Sequence, residues 1–518
     1  KPVFGLDQEC PGMVHAVLER CPLLSGTLGT FDEERARAVP GVIDVIPIKR
    51  RWEWEQRVQL HESVAVIAET LWAAMKARNL LNCTWEPGKF SDESTQGNEA
   101  DNLRYLASNK SEGEVLREDG NVDRALANAS RRFTQRYSMK TLAHMCMEPH
   151  SAIADMSGSQ RKVIAAHQFP DIPARCVSVL AECDPLEVEV QPARMGGGFG
   201  RKYEADFVSE AVWLSLQIDR PVKVTWTRED TVRIDAFNRP GISEFEVGLN
   251  SANKIVAHSH DFAEHGAHPD VFPSGVVPDL RIRRYRKDTG MWFGAWRGPG
   301  NNTMGFMVQS LLDELAHDVD EDPLAFRLKQ LEPLREIPYP GWGAELYDTG
   351  REASVLELAS KQGEWDQRGD LPDGFGRGIA SFFTFGSYCA HVVDVRMDRG
   401  RLEILKVVSA IDCGQPVNRL GIEAQVEGGV MDGLGAALHQ QITFTDGRVD
   451  QSNFNDYRMM RISEAPPQVD VHIVDSTVHP TGTGEVSLPP VIPALTNAIF
   501  HASGQRVRDL PIADQLQF

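Results

Sequence analysis

Closely spaced cysteine pairs are missing from this sequence: no Cys-x-x-Cys occurs among its 518 residues. Its eight cysteines, at positions 10, 21, 83, 146, 176, 183, 389 and 413, are too sparse for a disulfide scaffold. Cys176 and Cys183 form the closest pair. Their spacing suits neither zinc nor an iron–sulfur cluster, so buried or idle thiols are expected. No apolar run approaches the roughly 20 residues of a membrane-spanning helix, and no transmembrane segment is expected. Positive charge is the scarcer sign. With 54 Lys and Arg against 74 Asp and Glu the formal charge is −20, which argues against nucleic acid and anionic membranes as partners. No secretory leader is legible: Lys1-Pro2-Val3-Phe4-Gly5 runs straight into folded-looking sequence. That abrupt start leaves room for an upstream portion with any targeting signal, and the compartment stays open between cytoplasm and periplasm.

What is present is ordinary for a globular chain, with 25% charged and 42% hydrophobic residues. At roughly 150 residues per domain, about three domains are expected. The first ninety residues read as a compact α/β unit: strands at Val14–Leu18, Val42–Ile48 and Ser63–Glu69, helices at Phe31–Ala38 and Leu71–Leu81. From Pro87 to Gly120 the sequence is polar and turn-rich, which predicts a connector. A larger region runs to about residue 350, where Pro338, Pro340, Gly341 and Gly343 mark a joint. Beyond Gly374, Asp398-Arg399-Gly400 and Asp446-Gly447 signal hairpins. Met304, Val308, Leu311, Leu312 and Leu315 form one helical stripe, ended by Asp322-Pro323. Ile422, Val426, Val430, Leu434 and Leu438 form a second. Gly428, Gly429, Gly433 and Gly435 inside that helix each cost about 1 kcal/mol relative to Ala, which predicts a neighbour packed against its backbone.

Three motifs carry chemistry. Leu186, Val188 and Val190 alternate into Pro192, followed by Met195-Gly196-Gly197-Gly198-Phe199-Gly200-Arg201-Lys202 and a helical pattern. Strand, glycine loop and helix bring bare N–H groups against an anion or polar cofactor. Tyr203 after Lys202 excludes a Walker loop, and the glycine spacing and Asp219 fit a nicotinamide fingerprint poorly. In Pro480-Thr481-Gly482-Thr483-Gly484-Glu485-Val486-Ser487-Leu488-Pro489-Pro490, glycines and a double proline flank Glu485, ahead of a helix at Ala494–Ala502. A carboxylate on so constrained a loop suits a general base; a surface glutamate is the plain alternative. In Trp292–Gly300, aromatics surround Arg297, either as a flat pocket or as core. His258, His260, His265 and His268 lie close to Asp261 and Glu264, but no fixed i, i+4 pair is evident, and hairpin histidines are the expectation over a metal site.

Taken in order, these motifs resemble the large molybdopterin-binding subunit of the xanthine dehydrogenase and aldehyde oxidase superfamily, closest to the isoquinoline oxidoreductase and bacterial aldehyde dehydrogenase branch. Pro11–Ala16 through Ala38–Val42 resembles its hammerhead domain, and Leu142–Pro149 the entry to its cofactor domain. Gly196–Lys202 resembles its first pterin loop, and Trp296-Arg297 through Arg327 the second. Asp412–Gly414, Asn418, Gln425–Gly429, Asn453–Tyr457 and Gly482–Ala494 follow in family order. The resemblance implies an α+β fold: a hammerhead domain over 1–88, a connector over 89–135, and a cofactor-binding region in two parts, 136–350 and 351–518. It implies a molybdenum hydroxylase using water-derived oxygen on an aldehyde or N-heteroaromatic ring. The cofactor would be molybdopterin, in its cytosine dinucleotide form, with no metal ligand from protein side chains. Glu485 would be the catalytic base. Gly197, Gly198, Phe199, Gly200, Arg297, Gln425 and Gly484 would meet the cofactor, and Tyr203 and Trp296 would line the substrate pocket.

Two departures qualify the resemblance. The glutamate that follows the pterin loop in xanthine dehydrogenases is replaced by Gly200-Arg201-Lys202-Tyr203, which argues against a purine substrate. The family's Gly-Gln-Gly segment and its Ser-rich phosphate segment have no counterpart, and Gly374–Arg377 follows turn residues rather than a strand. The expected partners are therefore a second polypeptide or upstream segment that completes the site, and a ferredoxin-like iron–sulfur subunit. Two other readings compete: a nicotinamide dehydrogenase built on Gly196–Gly200, and a non-catalytic assembly or scaffold subunit.

Overall fold

The computed structural model describes residues 3–108, 110–264, 269–270, 272, 274–339, 341, 344–512 and 515–516. His265, His268, Pro340 and Gly343 lie outside the described residues. The described chain is α+β, built on a seven-stranded, a six-stranded and a four-stranded sheet.

The N-terminal elements fall where alternation places them. Val14–Arg20, Val42–Ile48 and Ser63–Ala68 are strands, and Glu33–Arg37 and Leu71–Arg78 are helices. Val14–Arg20 pairs antiparallel with Ser63–Ala68 on one side and parallel with Val222–Thr225 on the other. The sheet thus crosses the boundary expected at residue 88 and takes in Ser151–Asp155, Lys162–Ala165 and Glu189–Pro192. Shared burial explains this: Val14, Ala16, Val222 and Val224 lie in one core with Phe207 and Val212 of helix Asp206–Ile218.

The expected connector is folded. It holds a helix, Thr95–Ser108, and an edge strand, Glu114–Asp119, of the six-stranded sheet. Only Asn102, Tyr105 and Leu106 of that helix are buried, so its polar sequence shows almost no periodicity. The six-stranded sheet ends on Asp509–Leu510, beside Arg131–Met139, and one core joins Tyr137 to Val407, Leu495 and Ile512. The two halves expected over 136–350 and 351–518 therefore share their interior.

Helix Leu488–Ser503 sits at the centre of that interior. It begins six residues before the expected Ala494, because Pro489 and Pro490 occupy its first turn, where a missing N–H costs nothing. Glycines let other elements approach it. A Cβ at Gly378 would lie 2.2 Å from the Ala494 carbonyl oxygen. A Cβ at Gly433 of helix Arg419–Leu438 would lie 2.4 Å from Val491. Close helix–helix packing accounts for that glycine. Both predicted hairpins form, with Arg399, Gly400, Asp446 and Gly447 all at positive φ.

Candidate active site

Four segments converge on a cavity of about 1250 Å³: Gly198–Glu204, Phe293–Gly300, Gln425, and the loop from Gly482 to Val486. The first is a strained glycine loop. Gly197, Phe199 and Gly200 have φ of 101°, 52° and 101°, a region that costs an L-residue such as Phe199 roughly 1–3 kcal/mol. A Cβ at Gly200 would stand 1.8 Å from the Ala295 carbonyl oxygen, so only glycine fits. Side chains on either side hold the loop, Glu148 and Lys202 buried behind it and Gln168 in the cavity wall. Glu148 Oε2 accepts from Gly196 N at 2.8 Å and Lys202 Nζ at 2.5 Å, while Gln168 Oε1 accepts from Gly200 N at 3.0 Å. Beneath it Arg201 bridges two buried carboxylates, Asp206 at 2.5 Å and Asp235 at 2.7 Å. Burial would raise the Asp206 carboxyl, but Arg201 outweighs it and holds the group well below the usual range.

Arg297 ties the remaining segments together. Its Nε donates to Gly484 O at 2.7 Å, its Nη1 to Asp432 Oδ2 at 2.7 Å, and its Nη2 to Gln425 O and Oε1 at 2.8 and 3.1 Å. Its backbone N–H donates to Phe199 O at 3.0 Å. Glu485 lies next to this knot, half-buried, with Oε1 accepting from Gly298 N at 3.1 Å. Burial pushes its carboxyl above the ordinary glutamate value, opposed by the Gly298 N–H and the Arg297 charge. A carboxylate with a raised pKa and a second oxygen free of hydrogen bonds among the described residues is equipped to take up a proton.

A family model described as molybdopterin cofactor-binding domain matches residues 107–331, and a second with the same description matches 324–466. The chain belongs to the molybdopterin-binding subunits of the xanthine dehydrogenase and aldehyde oxidase family. Over 99% of its length it is 26% identical to the beta subunit of isoquinoline 1-oxidoreductase from Brevundimonas diminuta. Over 98% it is 27% identical to a nicotinate dehydrogenase subunit of Pseudomonas putida. It spans 66% and 44% of those two relatives. In fold it is similar to the aldehyde oxidoreductase of Desulfovibrio gigas (TM-score 0.81, 14% identity, 99% of this chain and 78% of that one). It is likewise similar to quinoline 2-oxidoreductase of Pseudomonas putida 86 (TM-score 0.80, 14% identity, 99% and 95%).

Of the residues expected at the site of this molybdopterin-binding subunit, Gly198, Phe199, Gly200, Tyr203, Arg297, Gln425, Gly484 and Glu485 all line the cavity. Gly197 sits behind its wall, against Cys146 and Phe199. Trp296 departs from expectation: it is 3% exposed and packs in the large core rather than lining the substrate pocket. Its neighbours Ala295 and Arg297 take the cavity side. The nicotinamide reading falls with the family match and with the local geometry. Strand Glu189–Pro192 has four residues, and a 3-10 turn at Arg201–Tyr203 separates the glycines from helix Asp206–Ile218. Of the histidine group, His258 and His260 are buried core residues packed against Phe245, not partly exposed hairpin residues, and His265 and His268 lie outside the described residues.

Sequence reasoning missed the supports. Glu148 lies inside the Leu142–Pro149 motif, and Asp432 follows Gln425 by seven residues on one helix, so both share a face. Nothing local marks Gln168. Glu204 was also missed: it follows the glycine loop directly, lines the cavity, is buried, and accepts from Gln59 Nε2 at 2.8 Å, with burial raising its carboxyl, so the expected lack of a glutamate after that loop does not hold. The residues present fit a pterin-type group. Gly198 leaves space that a Cβ would close against Gln168 at 2.7 Å. Gln425 is exposed in the cavity wall, and its amide nitrogen donates to nothing among the described residues. Thr384 Oγ1, in the same wall, is buried without a partner.

Proposed function

We propose that the chain is the molybdenum-cofactor subunit of a hydroxylase that oxidises an aldehyde or hydroxylates an N-heteroaromatic ring with water-derived oxygen. Glu485 is the observation that carries this reading: a half-buried carboxyl, raised by burial, in the same cavity as the glycine loop. When bound, molybdopterin in its cytosine dinucleotide form supplies the oxygen-transfer and two-electron chemistry. The protein positions and transfers protons. Glu485 Oε1 is fixed by the Gly298 N–H, leaving Oε2 to take the proton released as the carbon–oxygen bond forms. Arg297 fixes Gln425 and Gly484 relative to Phe199, so the groups that meet the cofactor keep one geometry. Backbone groups of Gly198, Phe199 and Gly200 would face it, while Gly197 shapes the loop from behind.

Trp54, Phe169, Tyr203 and Phe293 give the cavity an aromatic wall, with Tyr203 edge-on to Phe169 at 5.1 Å. Such a wall suits flat substrates and sheds water from the reacting carbon. A second polypeptide or upstream segment supplies the missing glutamine and phosphate-binding segments, and a ferredoxin-like subunit carries iron–sulfur clusters and receives the electrons. A dye-coupled screen of aldehydes, N-heteroaromatics and xanthine on the native complex tests the reading. The first two classes should turn over fastest, and xanthine as best substrate would overturn it.

A further inference from the structure

The cavity carries more positive charge than the proposed reaction uses. Arg57, Arg239, Arg286 and Arg297 line it, against two carboxyls, Glu204 and Glu485. This concentration of arginine stands out in a chain of net charge −20. Arg297 is paired with Asp432 at 2.7 Å; the other three have looser carboxylate partners or none within ion-pair distance among the described residues. Arg57 donates from Nη2 to Tyr203 Oη at 2.6 Å, forms no ion pair among the described residues, and leaves its buried Nη1 without an acceptor. Arg239 has its guanidinium 4.5 Å over the Phe293 ring, and among the described residues its one ion pair is a loose one, to Glu264 at 3.8 Å. Arg286 is exposed and has no ion pair among the described residues. Burial, then the Arg286 charge, lower the Arg239 guanidinium from its ordinary value, a sign of like charges left facing each other. An independent orphan lies beside them. Asn238, 4% exposed and also lining the cavity, has a buried amide nitrogen with no acceptor.

The two buried atoms without a partner, Arg57 Nη1 and Asn238 Nδ2, are donors, Arg239 and Arg286 add positive charge, and a planar oxyanion meets guanidinium donors two at a time. None belongs to the Arg297–Gln425–Gly484 knot. We propose that Arg239 and Arg286, with Arg57 and Asn238, form a carboxylate-recognition wall, so that the substrate is an aldehyde or N-heteroaromatic ring bearing a carboxylate away from the reacting carbon. This inference rests on the hydroxylase reading and names its substrate class. The ring lies against Phe293 and Tyr203 while the carboxylate reaches the arginines. A phosphate of the cofactor is the other oxyanion available to them, and the test separates the two.

The molybdenum-loaded native complex is titrated calorimetrically with benzoate and with benzamide, its uncharged counterpart, and assayed with 4-carboxybenzaldehyde and benzaldehyde. Benzoate should bind and benzamide should not, and kcat/KM should favour the carboxylated aldehyde by about 10- to 100-fold, the range of one or two charge-assisted hydrogen bonds. Arg239→Gln should abolish benzoate binding and collapse that preference, with molybdenum content retained, and Arg239→Lys should restore part of both. Equal rates on the two aldehydes, or benzoate binding that survives Arg239→Gln, would overturn the proposal. Loss of molybdenum from Arg239→Gln would assign the wall to the cofactor and overturn it equally. Benzoate binding that depends on Arg239, with no turnover of any substrate, would uphold the anion site and sink the hydroxylase reading alone.

Discussion

Replacing Glu485 by glutamine removes one titrating proton and little else. The amide keeps the shape of the carboxyl, and its oxygen still accepts the Gly298 N–H that Oε1 holds at 3.1 Å. What goes is the basic oxygen, and removal of a positioned general base costs about 10²–10⁴-fold in rate. Stability runs the other way. A carboxyl raised by burial binds its proton more tightly folded than unfolded, so it opposes folding once pH rises through the unfolded value. Glutamine carries no such penalty, and the melting temperature at pH 7 should equal or exceed that of the parent. The parent's kcat/KM should rise with pH through a value above the ordinary glutamate range and then level off, whereas the variant's residual rate should lose that limb. The assay is dye-coupled oxidation normalised to molybdenum content, with a calorimetric scan on the same sample. A variant with full molybdenum and near-parental turnover refutes the assignment.

Gly200→Ala should destabilise the fold by about 3 kcal/mol or more, since it adds positive-φ strain to overpacking with a Cβ aimed at the Ala295 carbonyl; a urea midpoint unchanged from the parent would show that the loop yields freely. Arg201→Ala leaves Asp206 and Asp235 buried without their guanidinium and should cost about 3–5 kcal/mol; a loss under about 1 kcal/mol by urea denaturation contradicts the ion-pair account. Residues 1–518 expressed alone should hold little molybdenum and oxidise aldehydes poorly, because a buried, highly charged cofactor without phosphate partners loses several kcal/mol. Full occupancy and normal turnover by the isolated chain would remove the need for a partner at the site.

Sequence pattern exposed the parts of this fold whose burial has a period. Val42–Ile48 is a strand as its alternation requires, and Arg399-Gly400 turns a hairpin because both residues take positive φ. The helix at Thr95–Ser108 stayed hidden because only three of its fourteen residues are buried. Pro489-Pro490 misled in another way, since a double proline marks a loop or a helix start equally well until its neighbours are seen. At the site, glycines and Glu485 were legible because their chemistry is unusual for their position. Trp296 was misassigned because composition does not say which side of an extended segment faces a cavity. Gln168 and Asp235 hold the loop through contacts made far along the chain, and no local pattern records those.

The central claim, that this cavity is built around a molybdenum cofactor, is tested most directly by counting the metal. Elemental analysis of the natively purified complex should give about one molybdenum per chain, falling sharply in Gly200→Ala, whose added Cβ would displace the loop at Ala295. A native complex that turns over substrate yet holds no molybdenum would contradict the account.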